Sequence, residues 1–332
     1  MLKVKCEYIE KAIEAGINKL GFSDHNPSAL GRDNPKIAMT MHQFFEEYLP
    51  ELRRLREEYA NRINMKIGLE VEYYGDEGEE VDKVKAFREK VEPELDYMIL
   101  GQHFVVSRDE NNRLMNPPRM FDPLSGRYPI DYANTVVEAM KTGKFAYVAH
   151  PDLFLQYREK IKEDQKEEFA ETSKKAIEMI CETAAKYKIP LELNLGGISA
   201  ANANIPGKEL LSDGTYPYPV TEFWRVAAEK GCDVLIGIDA HNPEALVDRT
   251  SEKIAKKIME DAGIELHYLE DFEPLGIGKE LGRITNGKSV LNQVVELSEG
   301  LRIGEINEET GMIRRTVKDI GNNKSVNQEN IL

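Results

Sequence analysis

Four of the six histidines, His25, His103, His150 and His241, each stand at or just past the end of a short apolar run. Carboxylates accompany them: Asp24 precedes His25, Asp152 follows His150, Asp239 lies two residues before His241, and the run Lys66 to Tyr74 contributes Glu70 and Glu72. The stretch from Asp233 shows the pattern best, because Val234, Leu235, Ile236, Gly237 and Ile238 end in Asp239-Ala-His241 and a turn at Asn242-Pro243. An apolar run of this length bounded by turn signals reads as a buried strand. Side chains two residues apart then leave on the same face. Hard carboxylates and neutral imidazoles aimed at one point suit a divalent transition metal. Donors drawn from separated strands, rather than from closely spaced Cys and His, suit an open catalytic site over a closed structural one. Glu72 shares the face of Glu70, while His42 in the first turn of a helix and His267 in a late apolar run receive no role.

The elements that must position these groups alternate between strand and helix. Residues 3–16 read as a helix stopped by Gly16, followed by a strand over Lys19 to Ser23. Thr40-Met-His-Gln43 has the spacing of a capping box and opens a helix to about residue 60, with Phe44, Tyr48, Leu52, Leu55 and Tyr59 on one side. The strand Lys66 to Tyr74, a helix over Glu77 to Val91 and the strand Asp96 to Val106 come next. Asn111 to Pro129, with four prolines, reads as a long loop of the kind that forms lids and binding loops. Further on come a helix Ile130 to Lys141, a strand Phe145 to Ala149, a helix Lys162 to Lys186 and a strand Pro190 to Leu195 bearing Glu192 and Asn194. Residues 196–219 read as a second long loop, followed by a helix Val220 to Lys230, the Asp233 strand, a helix Ser251 to Ala262 and an apolar run Gly263 to Leu269. Such alternation implies an α/β fold with a parallel sheet and right-handed crossovers. Because the candidate ligands sit at the C-terminal ends of five strands, a barrel-like closure that rings them around one mouth is expected.

Composition narrows the function. A formal charge of −15 over 332 residues argues against duplex nucleic acid or an anionic membrane as partner. The three cysteines, Cys6, Cys181 and Cys232, have no CxxC spacing and read as core residues of a reducing compartment. With no bilayer-length apolar stretch and no signal-peptide pattern, a cytoplasmic location is expected.

In order, Gly21-Phe-Ser-Asp-His25-Asn-Pro, Gly68-Leu-Glu70-Val-Glu-Tyr-Tyr, Leu100-Gly-Gln-His103-Phe, Ala149-His150-Pro-Asp-Leu, Leu191-Glu-Leu-Asn194 and Gly237-Ile-Asp239-Ala-His241 resemble the successive motifs of the PHP (polymerase and histidinol phosphatase) superfamily. The wording is most similar to that of the monofunctional histidinol-phosphatases of histidine biosynthesis, over about residues 4 to 270. The resemblance implies a distorted (β/α)7 barrel in a PHP-type metallophosphoesterase domain, residues 1–275, with up to three divalent ions (Zn, Mn or Fe) at its mouth. It further implies that Glu70 bridges two ions, His103 and His150 complete the second, Asp239 belongs to the first, and His25 and His241 belong to the third. Residues 276–332 form an extension that reads as partly helical or disordered.

Two departures stand out. The family opens on a strand carrying His-x-His, and here no histidine precedes His25, so a missing first strand is expected and only the second site keeps all its ligands. The family also has an arginine soon after the Glu-x-Asn strand, and Glu192 to Trp224 contains none. Arg158, Arg119 and Arg127 are the alternative candidates to grip phosphoryl oxygens. The expected reaction is hydrolysis of a small phosphomonoester, L-histidinol phosphate by the resemblance. Hydroxide beside Glu70 would attack phosphorus in line, with Asp152 or Asp24 orienting the site. The alternatives are another small phosphate ester as substrate, or a metal-depleted relative that binds a ligand without hydrolysis. Oligomeric state is not readable from the sequence.

Overall fold

The computed structural model describes residues 2–26, 39–74, 89–103, 105, 125–205 and 208–264, with four two-residue strands between 306 and 327. Helix α1, Leu2–Glu14, buries Ile9 and Ala12 and stops at Gly16, whose φ of +76° is one that glycine adopts without strain. Strand β1, Lys19–Phe22, follows. The expected capping box is present, with the Gln43 amide donating to Thr40 Oγ1 at 3.1 Å and the Thr40 amide to Gln43 Oε1 at 2.9 Å. It opens helix α2, residues 41–58, in which Phe44–Tyr48 is wound as a π-helical segment. Phe44, Tyr48, Leu52 and Leu55 are buried along one side, as the helical spacing requires.

Strands β2, Asn64–Val71, and β3, Tyr97–Leu100, extend a parallel sheet from β1, with Leu20 opposite Met65 and Glu70 opposite Ile99. The expected strand over 145–149 is reduced to a pair of bridges, Leu100 with Val148 and Val148 with Leu191. Those bridges nevertheless connect β3 to β4, Leu191–Asn194, which pairs in parallel with β5, Val234–Gly237. Six parallel segments therefore run in chain order, as the βα alternation demands. Of the helices that flank them, α3, Tyr128–Lys141, is packed on α4, Lys166–Tyr187, and α6, Thr221–Glu229, on α7, Arg249–Ala262. Helix α3 begins two residues earlier than expected, because Pro129 is accommodated in its first turn where no amide partner is needed. Residues 196–219 are not all loop: α5, Gly196–Asn202, turns inward and buries Ile198, Ala200 and Ala201.

Alternation along β3 splits the interior in two. Met98 and Leu100 join the large apolar core, and Tyr97 and Ile99 join a smaller cluster with Ala146, Tyr147 and Ala149. Ile99, Tyr147 and Ala149 line the same cavity as residues of β1 and of the β5 end, so the row of strands bends around that cavity as in an α/β PHP barrel. Among the described residues no ladder joins β5 back to β1. The expected helix over 77–91 is described only from residue 89, and the run to Leu269 is described only as far as residue 264. Most of the long loop 111–129 and the apolar stretch 290–297 fall outside the described residues. In the extension, Ile306–Asn307 pairs with Met312–Ile313 and Thr316–Val317 with Val326–Asn327.

Candidate metal centre and active-site cavity

Past Phe22 the chain stays in register with β2. The Glu70 amide donates to the Asp24 carbonyl at 3.0 Å and the Asn26 amide to the Glu70 carbonyl at 2.8 Å, which sets His25 directly beside Glu70. Two histidines arrive from the other side. His103 follows β3, where Gln102 exchanges two hydrogen bonds with the backbone of Tyr73 and ties the strand ends together. His150 follows the Val148 bridge with φ +32°, a strained conformation for a residue with a side chain, of the kind that folds retain at functional positions.

The three imidazoles surround one carboxylate. His150 Nε2 donates to Glu70 Oε1 at 3.0 Å, His103 Nε2 lies 3.7 Å from the same oxygen, and His25 Nδ1 lies 3.6 Å from Oε2. The ring of His103 stands 5.0 Å from that of His25 and 4.8 Å from that of His150, centre to centre. Space for Glu70 comes from Gly101, where an added Cβ would fall 1.8 Å from Oε1. Burial works to raise the Glu70 pKa, but the histidines, His25 foremost, overcome it and hold the carboxyl far below its usual range.

Behind His103 sits Glu72. Its Oε1 accepts from His103 Nδ1 at 2.6 Å and its Oε2 from the His103 amide at 2.9 Å, while its side chain is only 2 % exposed. Burial pulls the His103 pKa down, and the neighbouring carboxylates, Glu72 foremost with Glu70 and Asp239, together lift it to about 9. A carboxylate behind a histidine is the arrangement that fixes the tautomer and aims the other nitrogen at a metal. Glu192 does a related job at His150, accepting its amide at 3.1 Å and the Asn194 side-chain amide at 2.9 Å, in a cradle that a Cβ at Gly237 would fill. Burial pushes the Glu192 pKa up to about 7.

The remaining predicted residues fall into two sets. Asp24, Asp239 and His241 line the same cavity as His25, Glu70 and His150, a space of about 720 Å³. Asp239, with φ +50°, pairs with its neighbour: His241 Nδ1 donates to the Asp239 carbonyl at 3.0 Å and lies 3.4 Å from Oδ1, with the His241 side chain 71 % exposed. The other set lies elsewhere. Asp152 is fully buried and its Oδ2 accepts from the Val220 amide at 2.6 Å and from Trp224 Nε1 at 3.1 Å, which anchors the start of α6. Arg158 donates to the carbonyls of Leu155, Tyr216 and Pro217 and to Thr215 Oγ1, so its guanidinium ties a loop together instead of lining the cavity. Arg127 is exposed and faces Asp131 on its own helix, and Arg119 lies outside the described residues.

The donor set fits a divalent ion. Two donors on a metal at about 2.1 Å are separated by roughly 3.0–3.4 Å in tetrahedral or octahedral geometry. His25, Glu70 and His103 each offer a ligand atom, and these lie within 4.8 Å of one another, close enough for small rotamer adjustments to bring them onto one ion. His25 thus gathers with Glu70 and His103, whereas the family resemblance grouped it with His241. His150 Nδ1 is buried without a hydrogen-bond partner, the mark of a site whose polar groups are arranged for something besides one another. Sequence patterns gave the supporting pair no role: Glu192 sits on β4 and Glu72 just past the end of β2, two residues from Asn194 and Glu70, and only their burial distinguishes them from solvated acids.

The chain is 25% identical over 259 residues, 77% of its length and 86% of the relative's, to a protein of Deinococcus radiodurans named as a probable histidinol-phosphatase. It is 25% identical over 295 residues, 84% of its length and 88% of the relative's, to a Schizosaccharomyces pombe protein of the same name. Among solved structures, a histidinol phosphate phosphatase of Lactococcus lactis, complexed with zinc, L-histidinol and phosphate, matches with a TM-score of 0.52 at 17% identity, over 82% of this chain and 92% of that one. A Listeria monocytogenes protein assigned as histidinol phosphatase HisK matches with a TM-score of 0.54 at 19% identity, over 74% and 92%. The sequence pattern of the PHP domain matches residues 5–195, more than half of the chain, and with the strand order and the histidine-ringed carboxylate it shows that this protein belongs to the PHP domain family.

Proposed function

We propose that the chain is a metal-dependent phosphomonoester hydrolase whose substrate is L-histidinol phosphate. The observation that carries this is the convergence of His25, His103 and His150 on the two oxygens of Glu70, with His25, Glu70 and His150 lining the cavity. His25, Glu70 and His103 would hold a divalent ion. When bound, such an ion neutralises phosphoryl oxygens and lowers the pKa of water toward neutrality.

The chain's own residues do the rest. Glu72 keeps a proton on His103 Nδ1 and so turns Nε2 toward Glu70. His150 donates to Glu70 Oε1 and limits how that carboxylate can rotate. Ile99, Tyr147 and Ala149 form an apolar floor that restricts water around the reacting ester. L-Histidinol phosphate carries an amine, and Asp24 and Asp239 in the cavity wall offer carboxylates to receive it.

The test is phosphate release by the full chain, freed of metal and reconstituted with zinc or manganese. L-Histidinol phosphate is compared with p-nitrophenyl phosphate, a sugar phosphate and a nucleoside monophosphate. The expected result is hydrolysis that needs metal, favours L-histidinol phosphate and drops to background in Glu70→Gln. Bound metal with no release from any ester would overturn it and leave a binding role.

A further inference from the structure

Among the described candidates, Arg158 is spent on a loop and Arg127 faces Asp131, so neither offers its charge to a dianionic ester in the cavity. Among the described residues that line it, Lys5 is the one lysine or arginine. We infer that Lys5 binds a phosphoryl oxygen of the substrate, supplying from helix α1 the cation that the missing arginine would otherwise provide. This rests on the phosphatase reading above.

Three observations converge on it. Lys5 is 8% exposed although it carries an ammonium, and its Nζ is buried without a hydrogen-bond partner. The Nζ stands 3.5 Å from the centre of the Tyr48 ring, whose face attracts a cation but leaves the three N–H donors unused. Burial pulls its pKa down to about 8, opposed chiefly by the charge of Asp24, the residue before His25, so Lys5 stands on the His25 side of the cavity. An unpaired buried ammonium disfavours folding, and lysines are rarely buried without a partner. An anionic oxygen in the cavity would supply that partner.

The helix frame makes the placement firm. Ile9 and Ala12 of α1 are fully buried, and Phe44 and Tyr48 of α2 are buried in the same core, so Lys5 and its aromatic neighbour stand on helices held by packing. A point charge with three donors accepts a tetrahedral anion in several orientations, where an arginine fork would demand one. That tolerance suits a group that holds the ester as it turns into free phosphate.

The experiment compares the zinc-reconstituted full chain with Lys5→Met, which keeps the length of the side chain and removes the charge. Binding of inorganic phosphate is measured by calorimetry, with KM and kcat for p-nitrophenyl phosphate, zinc content and melting temperature alongside. Lys5→Met is expected to weaken phosphate and raise KM by about tenfold or more, with zinc content unchanged and melting temperature equal or higher. If Lys5→Met does not fold, Lys5→Gln is measured in its place. Phosphate affinity and KM within twofold of the wild type, or a loss of phosphate binding that follows loss of zinc, would overturn the assignment. Should the wild type hydrolyse no ester yet bind phosphate through Lys5, the anion site stands and the hydrolase reading falls. Should it hydrolyse esters with Lys5→Met unchanged, the reverse holds, and a wild type that does neither removes both.

Discussion

Replacing Glu72 by Gln separates two effects that one carboxylate exerts on the metal centre. Gln keeps the volume and can still accept from the His103 amide, but the charge 2.6 Å from Nδ1 is gone. In the metal-free protein the His103 pKa stands at about 9, so at pH 7 an incoming ion must displace a proton across about two pH units. That displacement costs on the order of 3 kcal/mol, roughly a hundredfold in affinity, and it fades as the pH reaches 9. Without Glu72 the foremost raising influence is gone and burial works against only Glu70 and Asp239, so the proton is held less firmly near neutrality. The imidazole, however, loses the group that orients it, which typically weakens binding by about 10–100-fold. The two effects oppose each other at pH 7 and only the second survives at pH 9. Metal affinity measured by competition with a chromophoric chelator at pH 7, 8 and 9 should therefore rise with pH more steeply in the wild type than in Glu72→Gln, by about tenfold per unit. The variant should lie within a few-fold of the wild type at pH 7 and about 10–100-fold below it at pH 9. Parallel pH profiles would refute the assignment of Glu72 as the group that tunes His103.

Gly101→Ala places a Cβ 1.8 Å from Glu70 Oε1, so the carboxylate must leave its ring of histidines; metal affinity should fall at least about tenfold and stability by about 1–3 kcal/mol. Normal zinc content in that variant would contradict the cradle. Metal titration of the wild type should find one tight ion, because Asp239 and His241 pair with each other on the rim, and two or more tight ions would show that the rim pair turns inward. Burial raises the Asp152 pKa to about 6, above its value in the unfolded chain, so the fold favours the protonated acid and loses stability as the pH rises from about 4 to 6. Asp152→Asn lacks that ionisation: in thermal melts of the metal-free protein its stability relative to wild type should improve over that range and stay level above it. A pH-independent difference would count against a buried, charge-disfavoured Asp152.

Much of the scaffold was legible because its signals are local. The Thr40 capping box, the Gly16 stop and the buried side of α2 each depend on residues within a few turns of one another, and each is present as spaced. The βα alternation placed His25, His103 and His150 just past strand ends, where the fold holds them. Helix α5 escaped notice because two glycines open it and read as loop, whereas its formation depends on burying Ile198, Ala200 and Ala201. The strand at 145–149 shrank to bridges at Val148, since its pairing is set by both neighbours and not by its own apolar run.

What the sequence determined by itself was the set of donors and the alternation that carries them, since residue type and short-range periodicity encode both. Which donors meet was decided in three dimensions. Glu70 and Glu72 share a face and a chemistry, yet one lies among three imidazoles and the other stands behind His103. Arg158 was one of three candidate anion ligands in sequence, but its donors went to carbonyls nearly sixty residues away, while Lys5 came to rest in the cavity wall. The His150–Glu70 contact spans 80 positions, and nothing local specifies such a pairing. It follows from strand register and helix packing, which depend on the whole chain at once.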